Sequence, residues 1–280
     1  DVLTPDLVIA SHGPTAMLAA RVAGISAIPL GTGFEIPPVQ APLPSIRPWE
    51  NVSKRHLLHA DGVVLRGINA VLTSARMSAI SQVAELLRGP RILTTFPELD
   101  HYGPRATEQY FGPLRSPVEG SVIQWRKSDR PRIFVYLRQS VPGFEAVLQS
   151  LKTLNAEVIC VSPDLSSDIK SKFEDVDFRL FTNSIALPHI LQSAQLTIGY
   201  GGAGTIAESL LAGVPMLLLP HVIEQYLGSL RVEDLGAGLV IRNDRSIAAC
   251  TKALLALISS QDYRNAAHRF SLKYASASEL

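Results

Sequence analysis

The sequence predicts an α/β protein made of two doubly wound, Rossmann-like domains with parallel sheets. Three observations predict it. The first thirty residues read as apolar run, helical run, apolar run. From residue 131 onward short apolar runs alternate with helical periodicity. One strand-to-helix junction, after residue 198, holds four glycines within six positions. Strand and helix patterns that alternate imply parallel strands covered by helices. A length of 280 residues accommodates about two such domains.

Taken in order, Leu7–Ala10 is apolar, residues 15–22 are rich in Ala, Leu and Met and stop before Gly24, and residues 27–30 are apolar again. A helix that ends at glycine between two apolar runs is a βαβ signature. Residues 31–48 carry two glycines and five prolines, a composition that interrupts regular structure and predicts a long loop. Residues 52–87 have a helical pattern, read as two or three helices with a break near Asp61-Gly62. Residues 91–96 read as a strand and 97–115 as irregular connection. Residues 1–115 are expected to form the first domain, N-terminally incomplete because the chain opens in mid-pattern without Met. The polar stretch 116–130 is the expected linker.

Residues 131–280 are expected to form the second domain. The unbroken apolar run 133–137 fits a strand buried on both faces. Phe144, Val147, Leu148, Leu151 and Leu154 follow at helical spacing. Strands are predicted at 158–161, Phe178–Phe181, Leu196–Gly199, 216–219 and 239–241. Helices are predicted after Pro188 and at 205–212, 224–235 and 246–259.

Composition excludes several function classes. A net charge of +1 with scattered basic residues gives no electrostatic ground for nucleic acid or an anionic membrane. The apolar runs fall far short of the ~20 residues of a membrane span. The two cysteines, Cys160 in an apolar run and Cys250 on a predicted helix, do not make a disulfide framework or a thiolate metal site. They fit a reducing, cytoplasmic location.

The segment that carries chemistry is Gly199, Tyr200, Gly201, Gly202, Ala203, Gly204, Thr205, Ile206, Ala207, Glu208. Glycines let the backbone turn tightly and let a ligand approach it. The unpaired N–H groups and partial positive charge of the following helix then face an anion. A tight turn that needs glycine for packing alone is the alternative. The spacing fits neither a P-loop nor Gly-x-Gly-x-x-Gly. Thr205 and Glu208 are spaced as a capping box, which predicts Thr205 as the helix N-cap; the alternative puts the Glu208 carboxylate on ligand hydroxyls. Downstream, Gly213-Val214-Pro215 leads into an apolar strand stopped by Pro220. His221, Glu224 and Gln225 emerge at its end, either at a ligand or on a solvated helix start.

Residues 199–225 resemble the donor-site signature of the UDP-glycosyltransferase superfamily of GT-B enzymes, bacterial type. The matching positions are Gly201, Gly202, Gly204, Thr205, Glu208, Gly213, Val214, Pro215, Pro220, Glu224 and Gln225. Pro5 to Ile9, Ala19 to Arg21 and Phe96 to Asp100 resemble the acceptor domain of the same family. The resemblance implies two Rossmann-like domains facing a cleft and transfer of a hexosyl group from a UDP- or dTDP-sugar to a small hydroxylated acceptor. It also implies inversion at the anomeric carbon and no metal or resident cofactor. The glycine turn (Tyr200 to Thr205) would hold the diphosphate, Glu208 the ribose, and Glu224 with Gln225 the sugar. Arg138 and Ser140, after the first strand of the second domain, are further candidates facing the same crevice, as are Phe181 for base stacking and His221.

Two departures stand out. The family has His where this chain has Tyr200, and a phenol donates a hydrogen bond but carries no positive charge. The Asp expected after the first apolar run is replaced by Ser11-His12. The catalytic base is therefore expected in the segment before this chain, with His12 as the candidate within it, although a histidine beside a Gly-Pro turn is also an ordinary surface residue. His56 with His59, and Asp100 with His101, read as structural. The rival readings are a catalytically degenerate nucleotide-sugar binder and a GT-B nucleotide-sugar hydrolase or epimerase.

Overall fold

The computed structural model describes residues 5–114, 120–127 and 129–275. It divides into two compact units, Asp1–Pro113 and Leu114–Leu280. Of the expected linker, residues 116–119 and 128 lie outside the described residues.

The first unit contains β1 (Leu7–Ala10), α1 (Pro14–Ala23), β2 (Ser26–Gly31), α2 (Lys54–Ser74) and β3 (Ile92–Leu93), with 3-10 turns at Val83–Leu87 and Pro97–Leu99. Its sheet is parallel in the order β1-β2-β3. The predicted βαβ opening is present, and α1 stops at Gly24 in the left-handed conformation (φ 69°). The expected break at Asp61-Gly62 is not. One helix runs from 54 to 74, started by Ser53, whose hydroxyl accepts from the His56 N–H at 3.3 Å. A mid-helix glycine costs about 1 kcal/mol, which the packing of Ile68 and Leu72 against Ile80 and Val83 offsets. Asp61 anchors the proline-rich loop instead, its carboxylate accepting from the Leu43 N–H at 3.0 Å.

The second unit is a six-stranded parallel sheet. Its strands are β4 (Arg132–Tyr136), β5 (Glu157–Val161), β6 (Phe178–Phe181), β7 (Leu196–Gly199), β8 (Met216–Leu218) and β9 (Gly238–Val240). Its helices are α3 (Phe144–Thr153), α4 (Ser167–Phe173), α5 (Leu187–Leu191), α6 (Ala203–Leu211), α7 (Ile223–Asp234), α8 (Ile247–Ser259) and α9 (Gln261–Lys273). The strand order β6-β5-β4-β7-β8-β9 is the doubly wound order, in which winding reverses between β4 and β7. Central strands are buried along their length, as their unbroken apolar runs require. One core packs α3 and α8 on the sheet and contains both Cys160 and Cys250. A smaller one on Phe134, Ile159 and Ile190 is joined by Ile123 and Trp125. Trp125 Nε1 donates to the Ile190 carbonyl at 2.9 Å, and the Arg126 N–H donates to Glu157 at 2.7 Å. The described part of the expected linker is thus packed onto the second sheet.

Among the described residues no helix is long and apolar enough to cross a membrane.

Candidate functional site

In an open parallel sheet the crevice for ligands opens beyond the strand C-termini where winding reverses. Here that point lies between β4 and β7. The register pairs Tyr136 with Gly199, the last residues of the two strands. Arg138 therefore leaves β4 beside the point where Tyr200 leaves β7. The next strand, β8, delivers His221 and the first turn of α7, with Glu224 and Gln225.

The glycine turn is dictated by two close approaches. Gly201 has φ +92°, and a Cβ there would lie 2.4 Å from Ser229 Oγ and 2.7 Å from the Gln225 carbonyl oxygen. Only glycine fits both the left-handed backbone and that contact. Its absent side chain lets the turn sit directly on α7. Ser229 secures the contact from the other side, its hydroxyl donating to the Gln225 carbonyl at 2.7 Å. A Cβ on Gly204, by contrast, would meet nothing within 4 Å. That position is exposed, leaving the backbone open to a ligand.

The capping-box expectation is overturned. α6 begins at Ala203 with Gly202 as N-cap, and no side chain caps it. Thr205 is the third helical residue, and Glu208 sits on the second turn, half-buried. Glycine has displaced the cap by three residues, so the first N–H groups of α6 are left to the crevice. The bland explanation of Glu208 is removed with it.

Tyr200 lies at the centre. Its ring centroid is 5.6 Å from Tyr136 and 6.0 Å from His221, edge-on. Burial, with Tyr136 and Glu224 adding to it and Arg138 opposing, pushes the phenol up to about 12. The hydroxyl is therefore a neutral donor at physiological pH. The His221 N–H donates to Gln225 Oε1 at 3.3 Å, which orients that side chain at the helix start.

The loop between β4 and α3 behaves differently from expectation. Ser140 does not present its hydroxyl to the crevice: it donates to Asp164 Oδ2 at 2.8 Å, and the N–H groups of Gln139 and Ser140 donate to the same carboxylate at 2.7 and 3.1 Å. An internal anion has taken the donors that an external one would use. Desolvation works against the Asp164 charge, but the Gln139 and Ser140 donors outweigh it and hold the carboxyl down to about 2. A depressed folded-state value means stability that is present above the ordinary carboxylate range and lost as pH falls through it. Asp164→Asn is expected to lower the melting temperature at pH 7, with the difference from the parent closing between about pH 4 and 2. An unchanged gap at pH 2 contradicts this role. Arg245 braces the loop from the other side, donating to the Pro142 carbonyl at 2.8 Å and to the Pro220 carbonyl. It borders an open cavity of about 410 Å³ beside His221 and Tyr226.

Other candidates fall elsewhere. Phe181 ends β6, two strands from β4, and packs on the Ile159 and Ile190 core. It is not brought to the glycine turn. His12 belongs to the first unit, with φ 47° and its ring stacked on Phe34. His56 serves the start of α2. Asp100 and His101 are buried, with Asp100 paired to Arg105. The two cysteines are buried and unlinked. Tyr136, Ser229 and Asp164 were not singled out from the sequence. Tyr136 had a signal, as the polar-tipped aromatic ending an apolar run. Ser229 stands four residues after Gln225, one helical turn on.

Residues 145–279 match the family model described as the erythromycin biosynthesis protein CIII-like C-terminal domain. A PGL/p-HBAD biosynthesis glycosyltransferase of Mycobacterium tuberculosis is 27% identical over 95% of this chain, which spans 66% of that relative's length. The structure of the spinosyn rhamnosyltransferase SpnG complexed with thymidine diphosphate superposes with a TM-score of 0.68, at 14% identity, over 97% of this chain and 70% of that one. The glycosyltransferase VinC in complex with dTDP gives 0.69, at 16% identity, over 97% and 68%. The parallel α/β fold read from the sequence is the fold of these GT-B neighbours.

Proposed function

We infer that this chain, of GT-B fold and matching the erythromycin CIII-like C-terminal domain over residues 145–279, serves a glycosyltransferase and binds its nucleotide-sugar donor in the second unit. The observation that carries the reading is the seating of Gly201 on Gln225 and Ser229. It seats the glycine turn, which leads into the uncapped start of α6, on the α7 helix that carries Glu224 and Gln225. In this reading the N–H groups of Gly202 to Thr205 and the Tyr200 hydroxyl donate to the diphosphate. Glu208 accepts from the ribose hydroxyls, and Glu224 with Gln225 binds the sugar hydroxyls. The two neighbours solved with dTDP support a dTDP-sugar donor. The two buried thiols support a cytoplasmic location.

The chemistry then runs as a displacement. A hydroxyl oxygen of a small acceptor attacks the anomeric carbon, the bond from that carbon to the diphosphate oxygen breaks, and the acceptor proton passes to a general base. Inversion follows from a single in-line step. Charge grows on the leaving diphosphate, and the helix start and hydroxyl donors stabilise it without a metal. Arg138 is the cation in this cluster, because Arg245 is committed to carbonyls. Arg138→Gln is expected to weaken dTDP binding about tenfold, as loss of one charged hydrogen bond. Unchanged affinity in a titration contradicts that role. Tyr200→His is expected to make dTDP affinity rise as pH falls below about 6.5, because imidazolium adds charge that the phenol lacks. A pH-independent affinity contradicts it.

The test is to incubate the protein with dTDP- and UDP-sugars, with and without a panel of hydroxylated acceptors, and to follow nucleotide release and acceptor mass. Nucleotide release that depends on acceptor, with a glycosylated product, is expected. Release without acceptor indicates a hydrolase, and binding without release a non-catalytic binder; either overturns the transferase reading.

A further inference from the structure

Two phenols reach the switch point of the second sheet from its opposite faces. Tyr136 ends β4 and leans on the core of Phe134, Ile159 and Ile190. Tyr200 follows β7 and packs against the larger core, the one that holds Ile198 and Leu219. Side chains two apart on a strand share a face, so Tyr136 stays on the side of Phe134. The register pairs Tyr136 with Gly199. The rings therefore meet above the strand ends, with centroids 5.6 Å apart and 40° between their planes.

The Tyr200 ring has close neighbours on its other sides. His221 meets it edge-on, with centroids 6.0 Å apart. At Gly202 a Cβ would stand 3.2 Å from Tyr200 Cε2 and 3.9 Å from Cζ, the carbon that bears the hydroxyl. The hydroxyl end of the ring therefore lies beside the N-cap of α6. Burial pushes the Tyr200 phenol up, and a hydrogen bond with the Tyr136 side chain adds to the rise. A bond that raises a phenol is made to its neutral form. Before a ligand binds, the Tyr200 hydroxyl thus donates and the Tyr136 oxygen accepts. Either hydroxyl can turn about its C–O bond to reverse that direction.

We propose that Tyr136 is a positioning residue, which holds the Tyr200 hydroxyl and backs it as a donor to the diphosphate. When the anion arrives beside the start of α6, Tyr200 donates to it, and Tyr136 turns to donate to the Tyr200 oxygen. Each proton stays on its own oxygen, and only the direction of the bond between the phenols changes. Hydroxyls in series polarise one another, so the outer one becomes the stronger donor. The phenol that stands where the resembled signature has His is thus backed by a second, and the pair stays neutral. The proposal rests on the donor-site reading for its anion, whereas the phenol pair stands on the ring geometry.

The test is a double-mutant cycle. Calorimetry follows dTDP binding to the parent, Tyr136→Phe, Tyr200→Phe and the double variant, all of which keep both rings. Tyr200→Phe is expected to weaken binding about tenfold, as loss of a hydrogen bond to a charged group. Tyr136→Phe is expected to weaken it about fivefold in the parent and to add nothing in the Tyr200→Phe background. An alkaline absorbance titration gives a readout that needs no ligand. The phenol lost in Tyr200→Phe is expected to ionise at lower pH in Tyr136→Phe than in the parent, because its hydrogen-bond acceptor is gone. An unmoved phenol titration overturns the pair. Equal dTDP affinity in the parent and Tyr136→Phe, or losses that multiply in the double variant, overturns the positioning role and leaves the donor site in place. A folded parent that binds no dTDP overturns the donor-site reading, and the ligand role of the pair with it.

Discussion

Gly201→Ala is expected to destabilise the second unit by about 2–6 kcal/mol and to abolish nucleotide binding in whatever remains folded. Two costs add. A non-glycine residue at φ +92° costs on the order of 1–3 kcal/mol. The new methyl also lands within 2.4 Å of Ser229 Oγ and 2.7 Å of the Gln225 carbonyl, an overpacking of about 1–3 kcal/mol. Relief requires the first turn of α7 to move away from the glycine turn, which carries Glu224 and Gln225 off the crevice. Gly204→Ala is the internal control for stability, because a Cβ there meets nothing within 4 Å. It is expected to fold normally while weakening nucleotide binding, its methyl standing where a diphosphate would approach. Chemical denaturation of the two variants checks the contrast. Equal stability of Gly201→Ala and the parent contradicts it.

Glu208→Ala is expected to weaken binding of dTDP roughly 10- to 150-fold, the range for losing hydrogen bonds to a charged group. Stability is expected to change little, because Glu208 is half-buried on the second turn of α6 and does not cap it. Had the capping box existed, the same substitution would mainly have lowered the melting temperature. Titration and melting of one variant thus separate the two roles. A large melting shift with unchanged affinity would sink the ligand role.

Much of this architecture is legible in the residues because the dominant signals are local. Unbroken apolar runs such as 133–137, short and punctuated, fit strands covered on both faces. Glycine at 24, at 213 and in the 199–204 turn marks where helices stop and start. The errors have a common cause in tertiary context. Gly62 reads as a break, but the packing of Ile68 and Leu72 outweighs its propensity. Thr205 and Glu208 have the spacing of a cap, but the helix begins two residues before Thr205, at Ala203. The helices at 167–173 and 261–273 were not anticipated. The second is mostly polar and buries only Ala266, Ala267 and Phe270, a narrow stripe that periodicity barely registers.

At the site, the motif spacing located the glycine turn and the start of α7, because both lie within one continuous stretch. The partners supplied by distant segments were not legible. Asp164 captures the Ser140 loop from 24 residues away, and Arg245 ties Pro142 to Pro220 across the sheet. Tyr136 and Tyr200 meet because β4 and β7 are neighbours, which only the strand order reveals. Phe181 ends β6 at the sheet edge, which likewise only the strand order reveals.

The most direct measurement is a calorimetric titration of the unmodified protein with dTDP and with UDP. The account predicts saturable one-site binding of a nucleoside diphosphate, tighter for dTDP, with the Tyr200 phenol a neutral donor because burial pushes it up to about 12. A folded protein that binds neither nucleotide would contradict it, and the glycine turn would then be a packing device alone.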